Sequence, residues 1–160
     1  MVGVRYTRYR KLPKAAALAG QPKRVKIGFP AGKADGGIID RAIYNEFGTK
    51  GSGVPFVRNG IGGFGGPIPE RPFMRQAFRS NKAKYGKAMK FAAPSILNGT
   101  VSMLTVLTQL GQLGALDVQD SITSLRSPPN SELTILIKGS SNPLIDTGEM
   151  RQSVTYKVDK

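Results

Sequence analysis

The sequence predicts an α+β fold: a small, mostly antiparallel sheet packed by two or three helices, with a long Gly-rich loop and a basic N-terminal arm. Three observations predict it. Two short segments alternate with period two. In one, Val25, Ile27 and Phe29 share a face opposite Arg24 and Lys26; in the other, Val154, Tyr156 and Val158 alternate with Thr155 and Lys157. Between them, apolar residues recur at helical spacing over two long stretches beginning near Pro72 and Ser102. Finally, the chain has 160 residues with 39% hydrophobic and 21% charged content, which fits one domain able to bury roughly 70% of its unfolded surface. The expected organisation is a basic arm over 1–22 and a single α+β domain over 23–160, with a Gly/Pro-rich loop over 48–71.

Taken in order, Val4 and Tyr6 around Arg5 hint at a short strand in the arm, and residues 24–29 form a half-buried strand. Ile38 to Phe47 reads as a short helix, with Asp35 as its cap and Gly48 as its stop. Residues 48–66 contain eight Gly, a density that predicts a long mobile loop without helix or central strand. Gly60-x-Gly62-x-x-Gly65 has the form of a dinucleotide fingerprint, but it neither follows an expected strand nor opens a helix, since Pro67 and Pro69 come next. Pro72 starts a helix at its first position. Phe73, Ala77, Phe78, Tyr85 and Met89 form its apolar stripe, Lys82, Lys84 and Lys87 occupy the remainder, and Pro94 marks a break or restart. From Ser102 onward, Leu104, Leu107, Leu110, Leu113, Val118, Ile122 and Leu125 line a second helix. Gly111 and Gly114 weaken it by about 1 kcal/mol each, which points to close packing against the sheet or a neighbouring subunit. Ser127-Pro128-Pro129 ends it. Leu133 to Lys138 is either a strand, by β-branching, or a short helix capped by Asn130 or Ser131. Thr147 to Gln152 can form one helical turn before the final strand.

The chain has no Cys and no His, which removes disulfides, thiol nucleophiles, Cys-type zinc sites and every His-based triad. No cofactor or metal is expected. Net charge is +14, a field that favours nucleic acid, acidic protein surfaces or anionic lipid as neighbours. Residues 1–34 hold nine Lys/Arg, among them Arg5, Arg8, Arg10, Lys11 and Lys14, and no Asp or Glu. They are either a solvated arm or a contact surface for DNA phosphates or an acidic subunit. Residues 91–116 are uncharged but include Asn98, Gln109, Gln112, five Ser/Thr and three Gly. A spanning helix needs about 20 mostly apolar residues, so a buried helix is expected there and no membrane partner.

Leu144-Ile145-Asp146-Thr147-Gly148 has the form of an aspartic-protease catalytic strand. That chemistry needs two carboxylates sharing a proton, so a chain with one such triplet would have to act as a homodimer. Twelve residues follow Gly148, and Glu149 sits where a small neutral residue belongs. The alternative is a joint: Asp146 or Thr147 caps the turn that follows, a bond worth about 1 kcal/mol, and Pro143-Leu144-Ile145 anchors it on the core.

Three segments, in order, resemble the neck or tail-completion proteins of tailed bacteriophages, also grouped as virion morphogenesis proteins. They are Ile43-Tyr-Asn-Glu-Phe-Gly-Thr49, Ile68-Pro-Glu-Arg-Pro-Phe-Met-Arg75, and Lys138-Gly-Ser-Ser-Asn-Pro-Leu-Ile-Asp-Thr-Gly-Glu-Met-Arg-Gln-Ser-Val154. With the helix between them they cover about residues 24–158. The basic N-terminus and the glycine loop depart from the family's terser pattern. The resemblance implies a non-enzymatic α+β protomer that forms a homo-oligomeric ring, six- or twelve-fold, at the head–tail junction or tail end. It would contact portal, adaptor, tail-tube or terminator proteins, lie beside genomic DNA, and reside in the virion after assembly in the host cytoplasm. It marks Asn45, Glu46, Phe47, Gly48, Arg71, Pro72, Phe73, Asp146, Thr147 and Gly148 as structural positions. From these, Glu46 is expected to pair with Arg71, and Phe47, Phe73 and Met74 are expected in the core. The arm (Arg5, Arg8, Arg10, Lys11, Lys14) and the loop aromatics Phe56 and Phe64 are the expected interface. The competing expectation is a small basic nucleic-acid-binding protein using the same arm and loop, although only Tyr6 and Tyr9 interleave with the basic cluster.

Overall fold

The computed structural model describes residues 20–30, 32, 34–58 and 61–159, with backbone only over 56–58 and 61–64. In chain order its elements are β1 (Arg24–Gly28), α1 (Gly36–Phe47), β2 (Pro55–Arg58), β3 (Ile61–Phe64), α2 (Phe73–Leu97), α3 (Met103–Ser124), α4 (Glu132–Lys138), α5 (Glu149–Gln152) and β4 (Thr155–Asp159). This is the expected α+β class. The expected strand at Val4–Tyr6, the arm, and the side chains of Phe56 and Phe64 lie outside the described residues.

β1 and β4 pair antiparallel, Arg24 opposite Asp159 and Gly28 opposite Thr155. A Lys26–Asp159 ion pair at 2.6 Å sits on the same ladder. α3 lies across this two-stranded sheet. A Cβ at Gly111 would overlap the Tyr156 ring and press on Val25, and one at Gly114 would overlap the end of Ile27. The two helical glycines therefore serve the approach to the sheet, the first of the two alternatives the sequence left open. α2 packs against α3, which follows it after the turn at 98–102, where Ser102 Oγ caps α3 by accepting from Thr105 N. The core joins α1 (Ile38, Ala42), α2 (Phe73, Ala77), α3 (Ala115, Val118, Ile122) and the segment from Leu144 through Met150 to Val154. Phe73, Ile122 and Val118 are its largest fully buried side chains.

Three local expectations change. The glycine loop contains an antiparallel hairpin, β2–β3, registered from Pro55↔Phe64 to Arg58↔Ile61. Its legs approach so closely that a Cβ at Gly51 would collide with the backbone of Gly65 and Gly66. Here glycine density makes room for backbone pairing instead of preventing it. Pro94 does not break α2, which runs on to Leu97. Near a helix end, proline removes a single ladder bond, and the chain turns instead at Gly99 with φ 73°. Pro72 stands one position outside α2, in the cap position. Residues 132–138 are helical: Ser131 Oγ accepts from Thr134 N at 3.2 Å, and Gly139 closes the helix in the left-handed region.

α2 is chemically lopsided. It carries Arg75, Arg79, Lys82, Lys84, Lys87 and Lys90 and no acidic residue. Like-charged neighbours three or four residues apart cost about 0.2–0.5 kcal/mol per pair, and exposed Gly86 costs about 1 kcal/mol more against Ala. No helix among the described residues is long and apolar enough to cross a membrane.

Candidate functional site: a junction of three segments

The cap position of α2 is held by Pro72, which supplies no side-chain acceptor for the orphan amides of the first turn. Glu46, near the end of α1, supplies it from 28 residues away. Its Oε2 accepts from Met74 N at 2.9 Å, and its Oε1 accepts from Arg75 N at 3.1 Å and Arg75 Nε at 3.0 Å. A carboxylate at a helix N-terminus is also favoured by the helix dipole. Hydrogen bonds from Arg75 to Glu46 first, and to Glu70 second, raise the Arg75 pKa. The Arg75 guanidinium lies 5.1 Å from the centre of the Phe47 ring.

Arg71 works in the opposite direction. Its backbone N donates to Asn45 O at 2.6 Å. Its guanidinium donates to Asn45 Oδ1 (3.1 Å), Pro128 O (2.8 Å), Pro129 O (2.9 Å) and Asn130 Oδ1 (3.2 Å). The planar fork thus ties the 128–130 segment to the end of α1. Burial lowers the Arg71 pKa from its ordinary value. Glu46 and Arg71, each 4% exposed, are the buried charged residues among those described.

The expected Glu46–Arg71 pair is therefore replaced. Glu46 pairs with Arg75, because its carboxylate is drawn to the amides of the α2 first turn, where Arg75 follows. Arg71, outside that turn, is left to neutral oxygens. Phe73 is fully buried and Met74 packs against the core, as expected, but Phe47 is 65% exposed. It lies past the buried face of α1 and covers the guanidinium of Arg75 instead.

Gly48 stops α1 with φ 73°, and a Cβ there would stand 3.0 Å from Ile68 O and 3.1 Å from Glu70 N. One residue on, Thr49 N donates to Ile68 O at 2.9 Å. The first two sequence segments are thus closed against each other by backbone contact as well as by Glu46 and Arg71.

The third segment meets the other side of α1. Asn142 Oδ1 accepts from Leu144 N and Ile145 N, turning the chain inward, and Leu144, Met150 and Val154 are buried. Gly148, at φ 84°, opens α5, and Thr147 Oγ1 accepts from Glu149 N at 3.4 Å. The cap position itself is Gly148, with no side-chain cap bond, and Thr147 bonds from one residue before it. Arg41 Nη2 reaches Glu149 Oε2 at 3.2 Å and joins α5 to α1. Between them is a cleft of about 160 Å³ lined by Arg41, Asn45, Lys138, Asp146, Thr147 and Glu149. Asn45 and Arg71 also line a larger cleft of about 530 Å³ between the 67–71 and 129–134 segments.

Asn45 thus stands where all three segments meet. No buried side-chain polar atom among the described residues lacks a partner, so the junction is built as a clamp. No group of three or more acidic residues placed to hold a metal occurs among the described residues. Sequence reasoning missed Arg75 as the partner of Glu46. The usable signal was Pro72, which leaves α2 without a local cap. It also missed Asp117 on α3, which accepts from Tyr85 Oη and Lys84 Nζ at 2.6 Å each.

Compared with protein-family models, curated proteins and solved structures, the chain matched none of them.

Proposed function

We propose that this chain is a non-enzymatic virion structural protein of the neck or tail-completion type. It forms a ring at the head–tail junction or tail end of a tailed phage and joins connector to tail. One observation carries the reading. The first two of the three segments that resemble that family are bonded through Glu46 and Arg71, and the third joins them by the Arg41–Glu149 pair and the cleft that Asn45 lines, so they form one structural unit rather than three scattered coincidences.

Surface character supports it. Ile43, Tyr44 and Phe47 are exposed on α1, and Phe91, Leu97 and Leu104 are exposed around the α2–α3 turn, Phe91 at 89%. Two different apolar faces on one protomer are what a head-to-tail ring contact needs. Asp146-Thr147-Gly148 acts here as the entry to α5, which favours the joint over the protease reading. The partners of this proposal are other copies of the chain and the portal, adaptor, tail-tube or terminator proteins, within the virion. Mass measurement of the purified full chain, with negative-stain imaging, tests it. Six- or twelve-fold rings are expected; a protein that stays monomeric or dimeric at tens of micromolar, alone and with its co-expressed neighbours, refutes it.

A further inference from the structure

We infer that the outer face of α2 is a binding surface for the phosphate backbone of double-stranded DNA. Arg79, Lys82, Lys87 and Lys90 are all exposed, and none has a hydrogen-bond or ion-pair partner among the described residues. Arg79, Lys82, Gly86 and Lys90 fall on one line down the helix, with Lys87 beside it. That line is opposite the buried side marked by Phe73, Ala77 and Ile96, so these cations are not held there by packing. Of the two acidic residues of α3, Asp117 is taken by Lys84 and Tyr85 on the flank, and Asp120 lines a cleft with Gln76, Ser80 and Asn81 toward the start of α2, bonded to none of these cations.

A face kept merely soluble would mix charge signs; this one has a single sign along its whole length. From Arg79 to Lys90 it runs about 16 Å at ~1.5 Å per residue. One DNA strand carries a phosphate every ~3.4 Å of duplex axis, so the face lies alongside about five phosphates. Gly86 sits in the middle of the line. A Cβ there would have no neighbour within 4 Å among the described residues, so none of them requires glycine. Its bare backbone leaves room for a sugar–phosphate strand to come close between Lys82 and Lys90. The proposed contacts are of these cations with phosphates along one strand, and phosphate contacts carry no sequence information, so the recognition proposed is of backbone and not of sequence. The surface is complete on one protomer and does not depend on ring formation.

The test uses the full chain and a random-sequence DNA duplex, with anisotropy measured over a salt titration. The triple variant Lys82→Gln, Lys87→Gln, Lys90→Gln should flatten the log–log salt slope by about 2.7, at ~0.9 per lost contact. Near 0.1 M salt it should weaken binding roughly 500-fold, with unchanged circular dichroism. Gly86→Leu, which leaves the charge untouched, should weaken binding several-fold. The proposal is overturned if the triple variant binds like the parent while an Arg5→Gln, Arg8→Gln, Arg10→Gln variant loses binding. It is equally overturned if the parent binds no DNA at low salt, if Gly86→Leu binds unchanged, or if poly-glutamate is bound more tightly than DNA through the same lysines.

Discussion

Glu46 replaces a cap that the local sequence cannot supply, and it does so while buried. Removing it strands two amides and a cation, so Glu46→Ala is expected to cost about 2–4 kcal/mol. For a chain of this size that is a fall in Tm of roughly 5–15 °C by calorimetry. Glu46→Gln keeps an acceptor and should lose less. Arg71→Lys is not conservative here, because four acceptors arranged for a planar fork cannot all be reached by one ammonium. It should cost about 2 kcal/mol or more, and denaturant melts showing no loss would argue that the clamp is idle. Tyr85 provides a pH signature. Burial first, and its bond to Asp117 second, raise its pKa well above the ordinary 10.0. A folded-state pKa above the unfolded one stabilises the fold fully below the unfolded value and is lost as pH rises through the folded one. Ultraviolet titration should thus show one tyrosine ionising late, with stability falling in the same range. If the late step survives in Tyr85→Phe, the assignment is wrong.

At the scale of elements, the two glycines of α3 separate propensity from packing. Ala in place of either gains about 1 kcal/mol of helix propensity. At Gly111 the new methyl meets the rigid Tyr156 ring and Val25, and overpacking of that kind costs typically 1–3 kcal/mol. At Gly114 it meets the flexible end of Ile27. Gly111→Ala should therefore be net destabilising and Gly114→Ala near neutral, an order that chemical denaturation of the two variants checks. These helices were legible in the sequence because side-chain periodicity survives whatever the partner is, as were β1 and β4 by alternation. The β2–β3 hairpin was not, because glycine erases the alternation by which strands are read, although Asn59-Gly60 between two short β-prone runs is a known hairpin signal. The candidate site was half legible. The positions Asn45, Glu46, Arg71 and Phe73 were marked, but who bonds whom depends on how α1 abuts the first turn of α2, a contact between residues far apart in sequence.

For the whole molecule, the described core joins α1, α2, α3 and the 144–154 segment, with Ile27 of β1 packed against it. On the proposal that residues 1–22 are a basic arm, deleting residues 1–20 should leave Tm within about 1 °C, as for a terminal segment that is not tied down, while weakening assembly into rings. An arm-less protein that still forms complete rings would remove the arm from the interface. The +14 charge makes any such association steeply salt-dependent. The pairing of Arg24 with Asp159 also sets an order of manufacture. During synthesis, β1 emerges early and stays unpartnered until residues 155–159 have left the ribosome, while α1 to α3 already have one another to pack against. The sheet is therefore the last part of the fold to close, and a subunit interrupted before residue 155 keeps an open edge. Pulse proteolysis of stalled chains should find cleavage near 24–28 up to that length and protection beyond it, so that only finished copies offer a closed sheet to their neighbours.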